Sequence, residues 1–156
     1  MDGFHLANTE LARLGCADRK GAPDTFDADG FAALLRRLRN QRIDETIYAP
    51  EYRREVEESV AGAIAIPPTV PLLIVEGNYL LLDDGPWAQV AALLDEVWYV
   101  EVDDALRLQR LTARHERFGR RPAAARAWVA QTDEPNARRI AAGRERAHWQ
   151  VRWDAR

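Results

Sequence analysis

The run Leu72-Leu73-Ile74-Val75 is apolar without alternation and stops abruptly at Glu76-Gly77. A strand with one wet face alternates apolar and polar residues, so an unbroken run predicts a strand covered on both faces, as in a parallel sheet flanked by helices. A second such strand is predicted over EVWYVEV, residues 96 to 102, and PWAQVAALL between the two reads as a helix with Pro86 in its first turn. Asp103 is placed to cap a long helix to about Phe118, RRPAAARAWVAQ predicts a helix begun at Pro122, and EPNARRIAAGRERAHW predicts another with Pro135 near its start. HWQVRW puts Trp149, Val151 and Trp153 on one face, the pattern of a last strand. Strands alternating with helices define an α/β class with a mostly parallel sheet.

The first half is less regular. LANTELARLG reads as a short helix closed by Gly15, and DRKGAPDTFD, with three Asp, a Gly and a Pro, reads as a loop. Asp27 then caps a helix through about Arg39, because Phe31, Leu34, Leu35 and Leu38 recur at helical spacing. TIYAPEYRREVEESVAGAIAIPP, interrupted by Pro50 and closed by Pro67 and Pro68, predicts short irregular strands. With 156 residues, 47% of them hydrophobic, the expectation is one domain over residues 1–156.

Charge and cysteine usage narrow the function. The net charge of -3 provides no basic field for nucleic acid or an acidic membrane. Cys16 is the only cysteine, so an internal disulfide and a cysteine-based zinc cluster are excluded, and a reducing cytoplasm is the expected setting. The sequence shows no charged-then-apolar leader, and its apolar stretches are far shorter than a membrane span.

Two acids stand where an open parallel sheet gathers ligands, beyond the carboxyl ends of strands. Glu76 follows the clearest predicted strand, and Asp2 opens a D-G-F turn of the kind that follows one. Such carboxylates can orient Mg²⁺ or accept a proton from an attacking hydroxyl, or they can simply cap loops. Arg107, Arg110, Arg114 and Arg117 recur at three- and four-residue spacing on one helix face. That stripe suits phosphate neutralisation and equally suits plain solvation, and Arg120 and Arg121 beyond Gly119 extend it toward a mobile lid over about residues 107–122.

MDGFHL, KGAPDTFD, YAPEYRREVEE, LLIVEGNYLLLD and DEPNARR, in this order and at these separations, resemble the uridine kinase, phosphoribulokinase and pantothenate kinase group of P-loop kinases. The resemblance runs through almost the whole chain, and it implies a P-loop NTPase-like three-layer fold. It also implies transfer of the ATP γ-phosphoryl group to a hydroxyl of a small metabolite such as a nucleoside, a sugar or a pantothenate-like alcohol, with ATP and Mg²⁺ required. By match to the family pattern, Asp2 is the catalytic base, Glu76 the residue near the metal, Asp24 an acceptor contact, and Arg110 and Arg114 the catalytic lid arginines, with Arg107 and Arg117 beside them. His5, Tyr48 and Arg53 are acceptor-pocket candidates. Tyr48 could instead pack, and Arg53 could pair with Glu57 if that segment were helical. Asp133–Asn136 falls where such folds hold adenine, or forms an ordinary helix start, which is the preferred reading.

Family members place a strand, a G-x-x-x-x-G-K-[ST] loop and a helix ahead of the D-G-F segment. No glycine pair in this chain has that spacing, and its sole lysine, Lys20, lies in an unrelated loop. The expectations are therefore that Met1 is an internal methionine of a longer domain and that this chain alone is inactive. Its alternatives are a non-catalytic binding or regulatory remnant, or a start codon assigned too late. Partners are expected to be ATP and a small acceptor, without nucleic acid or membrane, and a homodimer is compatible with the resemblance.

Overall fold

Asp27 accepts a hydrogen bond from the Gly30 amide at 2.8 Å and opens helix α2, Ala28–Arg39. Helix α2 buries Phe31, Ala32 and Leu35 on one face, as the helical spacing predicts. The computed structural model describes residues 1–153, which form two compact units, one over Met1–Asp95 and one from Glu96 onward.

In the first unit, helix α1 covers Asn8–Arg13, and Gly15 beyond it takes φ +67°, the left-handed closing turn. The irregular strands form an antiparallel hairpin, β1 (Ile47–Arg53) with β2 (Glu58–Ile66), whose register slips between Ala49 and Glu51. Pro50 sits in that slip, where the missing amide removes no regular ladder bond. Phe26, Phe31, Tyr79 and Trp87 build an aromatic core with centroid separations of 5.5 to 6.0 Å. Trp87 Nε1 donates to the Pro23 carbonyl at 2.9 Å, so its one polar atom is satisfied in the interior.

The predicted strand over Leu72–Val75 is not formed. Leu72 is 72% exposed and Ile74 88% exposed, and the backbone there joins no ladder. An apolar run reports that both faces favour cover; it cannot supply the neighbouring backbone that makes a strand. In this segment burial falls later, on Tyr79, Leu80, Leu81 and Leu82. The helix expected over PWAQVAALL is instead two 3₁₀ turns, Gly85–Gln89 and Ala91–Leu93. Trp87 and Val90, three residues apart, both point inward, which the three-residue 3₁₀ period satisfies directly.

In the second unit, β3 (Trp98–Val102) and β4 (Trp149–Trp153) pair in parallel, in register from Trp98 with Trp149 to Val102 with Trp153. Helix α3, Asp104–Arg117, is capped by Asp103 accepting from the Leu106 amide at 3.0 Å. Helices α4 (Pro122–Trp128) and α5 (Glu134–Ala141), expected as separate elements, are joined without a break by a π turn over Val129–Asp133. Pro135 explains the widened turn: it has no amide for the carbonyl four residues earlier, and its ring crowds that carbonyl. Among the described residues no helix is long and apolar enough to cross a membrane.

Candidate functional site

Asp2 lies in a 3₁₀ turn, Asp2–Phe4, woven into the loop that carries Asp24. The Asp27 amide donates to the Phe4 carbonyl at 2.8 Å, and the Leu6 amide donates to the Thr25 carbonyl at 3.0 Å. This short antiparallel bridge is why MDGFHL and KGAPDTFD act as one piece despite their separation in sequence. Gly3 is required by close approach, because a Cβ there would stand 2.1 Å from the Pro50 carbonyl oxygen of β1. On the other side the Met1 nitrogen donates to the Glu76 carbonyl at 2.7 Å, and a Cβ on Gly77 would meet the Met1 side chain. The segments bearing Asp2 and Glu76 are thus neighbours. The Glu76 carboxylate is 3.6 Å from the Met1 nitrogen and otherwise open to solvent, while the Asp2 carboxylate has the Arg54 guanidinium 3.7 Å away.

His5 lies between two rings, with centroids 4.0 Å from Phe26 and 4.7 Å from Tyr52. Its Nδ1 is 2.7 Å from the Asp2 carbonyl, which can only accept, so Nδ1 carries the proton and Nε2 is the basic nitrogen. Burial pushes this imidazole below its ordinary value, while the bond to the Asp2 carbonyl works in the opposite direction. Tyr52 donates its hydroxyl to Glu57 at 2.7 Å, and burial followed by that carboxylate raises its phenol above the ordinary range. Tyr52, Glu57, Arg54 and Lys20 were not singled out by sequence reasoning as site residues. The alternation TIYAPEYR was a usable signal for Tyr52, but the slip at Pro50 changes which face it serves.

The remaining acceptor candidates are less enclosed. Asp24 is held by Arg19 at 2.5 Å, and Tyr48 is exposed on β1. The pairing of Arg53 with Glu57 considered for a helical segment does not occur, since the segment is a strand; Arg53 lies 3.4 Å from Glu51.

In the second unit the arginine stripe divides. Arg107 is half-buried and held by Asp104 at 3.1 Å and Glu134 at 2.7 Å, and its guanidinium keeps the Glu134 carboxyl below its usual range. Arg110, Arg114 and Arg117 are exposed. Arg120 stacks 3.9 Å over the Trp128 ring, Arg121 immediately precedes α4, and His115 bonds Asp133 at 2.7 Å. Asp133 and Glu134 therefore tie the π turn and the start of α5 to α3. The preferred reading of Asp133–Asn136 as a helix start is corrected, because helical backbone continues through it from α4.

Among the described residues no cluster of three His, Cys, Asp or Glu side chains could enclose a metal. A lone exposed carboxylate such as Glu76 still fits Mg²⁺, which commonly binds one or two carboxylates and completes its octahedron with water and phosphate oxygens. The chain has no glycine-rich cradle of the P-loop type for the phosphates themselves.

Within the first unit, Asp2 and Glu76 thus stand on neighbouring segments, and His5 beside Asp2 packs between the Phe26 and Tyr52 rings. No family model matches the chain. It is 39% identical over 145 residues to "ATP-dependent kinase-like protein notR'" of Aspergillus versicolor, covering 88% of this chain and 84% of that protein. It is 37% identical over 140 residues to YggC of Escherichia coli, covering 90% of this chain and 56% of the relative. The crystal structure of a "putative fructose transport system kinase" from Silicibacter sp. TM1040 superposes with a TM-score of 0.87 at 37% identity, covering 99% of this chain and 72% of that one. The chain belongs to the ATP-dependent kinase-like family of P-loop kinases, whose relatives include pantothenate kinases. Besides the 56% of YggC, it spans 50% and 37% of two further curated relatives.

Proposed function

We propose that this chain carries the acceptor side and the lid of a kinase that transfers the ATP γ-phosphoryl group to a hydroxyl of a small metabolite. The observation that supports the reading best is the packing of Met1 along Glu76–Gly77, which makes the segments of Asp2 and Glu76 neighbours. Asp2 accepts the proton of the acceptor hydroxyl, and Glu76 would hold Mg²⁺ through its water shell. Bound Mg²⁺ would neutralise phosphate charge, and Arg110 and Arg114, flanked by Arg107 and Arg117, would add to that. Asp24, His5, Tyr48 and Arg53 orient the acceptor, a neutral or anionic polyol rather than a nucleic acid, in a cytoplasmic setting. Arg107, engaged by two carboxylates, supports the lid mainly by fixing α3.

Without a phosphate loop among its 156 residues, the chain by itself turns over no ATP. The same feature supports a second reading, a non-catalytic remnant that retains the acceptor pocket. The test is to extend the chain ahead of Met1 with a strand, a G-x-x-x-x-G-K-[ST] loop and a helix, and to assay nucleosides, sugars and pantothenate with Mg-ATP. Turnover by the extended protein, lowered about 10²- to 10⁴-fold by Asp2→Asn, is the expected result. Turnover indifferent to Asp2→Asn removes Asp2 from catalysis, and an extended protein that binds an acceptor yet never phosphorylates it favours the remnant.

A further inference from the structure

The sole lysine of the chain is half-buried, and its ammonium has two acceptors. Lys20 Nζ donates at 2.6 Å to the Asn8 side-chain oxygen and at 2.6 Å to the Glu57 carbonyl, and it lies 5.2 Å from the centre of the Tyr52 ring. Glu57 is the one non-glycine residue with positive φ among those described, +53°, at the turn between β1 and β2. A glycine would take that conformation more readily, and a larger residue persists there when its surroundings fix it. Here they do so from three directions. The Glu57 carbonyl accepts from Lys20 and, at 3.1 Å, from the Asn8 side-chain amide, while its carboxylate accepts from Tyr52. The neighbouring Glu58 carboxylate accepts from the Asn8 backbone amide at 3.0 Å, and Ser59 donates to the His5 carbonyl at 3.1 Å.

We propose that Lys20 is a positioning residue, whose ammonium pins the tip of the β1–β2 hairpin to helix α1 and the 17–24 loop and thereby sets Tyr52 against His5. The functional weight of this clasp rests on the reading of the His5 and Asp24 region as the acceptor side. The clasp itself is a property of the fold. An ammonium suits the task because its three donors can serve Asn8 and Glu57 together while its charge lies over the Tyr52 ring. The removal of Lys20 leaves the Glu57 carbonyl with Asn8 alone, so the strained turn relaxes and Tyr52 loses the carboxylate that orients it.

Because there is a single lysine, amine-reactive labelling followed by peptide mapping reads Lys20 directly and separates it from the amine of Met1. In the 156-residue chain Lys20 should label at least about 10-fold more slowly than in the same chain unfolded in urea, since its donors are engaged. Lys20→Met should speed amide hydrogen exchange over residues 54–58 by about 10-fold or more and remove the ring-current displacement of the His5 imidazole protons. Lys20→Arg should restore both in part. Labelling of Lys20 at the unfolded rate, or hydrogen exchange and His5 resonances unchanged in Lys20→Met, overturns the proposal, and the wild-type labelling decides the matter even where that variant fails to fold. None of these readouts uses ATP or an acceptor, so failure of the kinase reading leaves them standing and their failure leaves that reading untouched.

Discussion

The two units are held by different forces. Met1–Asp95 encloses rings, with Phe26, Phe31, Tyr79 and Trp87 all buried and the polar atom of Trp87 satisfied inside. Among the described residues from Glu96 onward, few apolar side chains are buried, among them Val97, Ala125 and Val129, and Trp98, Trp149 and Trp153 are exposed on the two strands. Its helices are instead joined by charged pairs, Arg107 with Glu134 and His115 with Asp133. Apolar burial depends little on ionic strength, whereas partly exposed ion pairs weaken as salt screens them. The difference teaches where each half is vulnerable. The His5 and Tyr52 rings adjoin an aromatic core, and the arginine-bearing helix α3 stands on charge.

The sharpest test of that contrast is Trp87→Ala, which should destabilise the first unit by about 3–5 kcal/mol, read from amide protection in each unit at rising urea. An equal loss of protection in both units would show that they unfold as one and erase the comparison. Next in size is Gly3→Ala, whose methyl would press on the Pro50 carbonyl and cost about 1–3 kcal/mol, measured by denaturant midpoint. A neutral Gly3→Ala would mean that the Met1–Phe4 turn is free to move away from β1.

Asp27→Ala and Asp103→Ala remove the same kind of cap from the two units, and each should cost about 1 kcal/mol. Unequal losses would sharpen the comparison by showing which unit tolerates a frayed helix. Raising salt from low to molar concentration should loosen amide protection in α3 and α5 while that of α2 holds, and the opposite order would refute the charge-based account of the second unit.

The smallest expected effect is from His5. Its folded-state value lies below the ordinary 6.5, so the unfolded chain binds the proton more readily. The stabilisation is complete above about pH 7 and declines as pH falls through 6.5, levelling once the folded state also protonates. Unfolding midpoints of wild type and His5→Gln between pH 7.5 and 5.5 check this, and parallel curves would show that His5 is not the group responsible.

Much of this protein was legible in one dimension. The caps at Asp27 and Asp103 and the apolar spacing of α2 are local, so neighbouring residues suffice to specify them. The order of MDGFHL, KGAPDTFD and VEGNYLLLD was enough for the kinase-like family. What sequence could not decide were matters of partnership. Leu72–Val75 has the composition of a buried strand, yet a strand exists only where another backbone meets its amides and carbonyls, and none of those described does. Pro135 announced a helix start but, with helical chain already leading into it, produced a π turn. Lys20, read from sequence as the sole lysine in a loop unrelated to the phosphate-binding motif, is joined to Glu57 across 37 positions. Its role depends on a hairpin turn folding back over α1, and such a contact is set by the packing of distant segments, which no local pattern encodes.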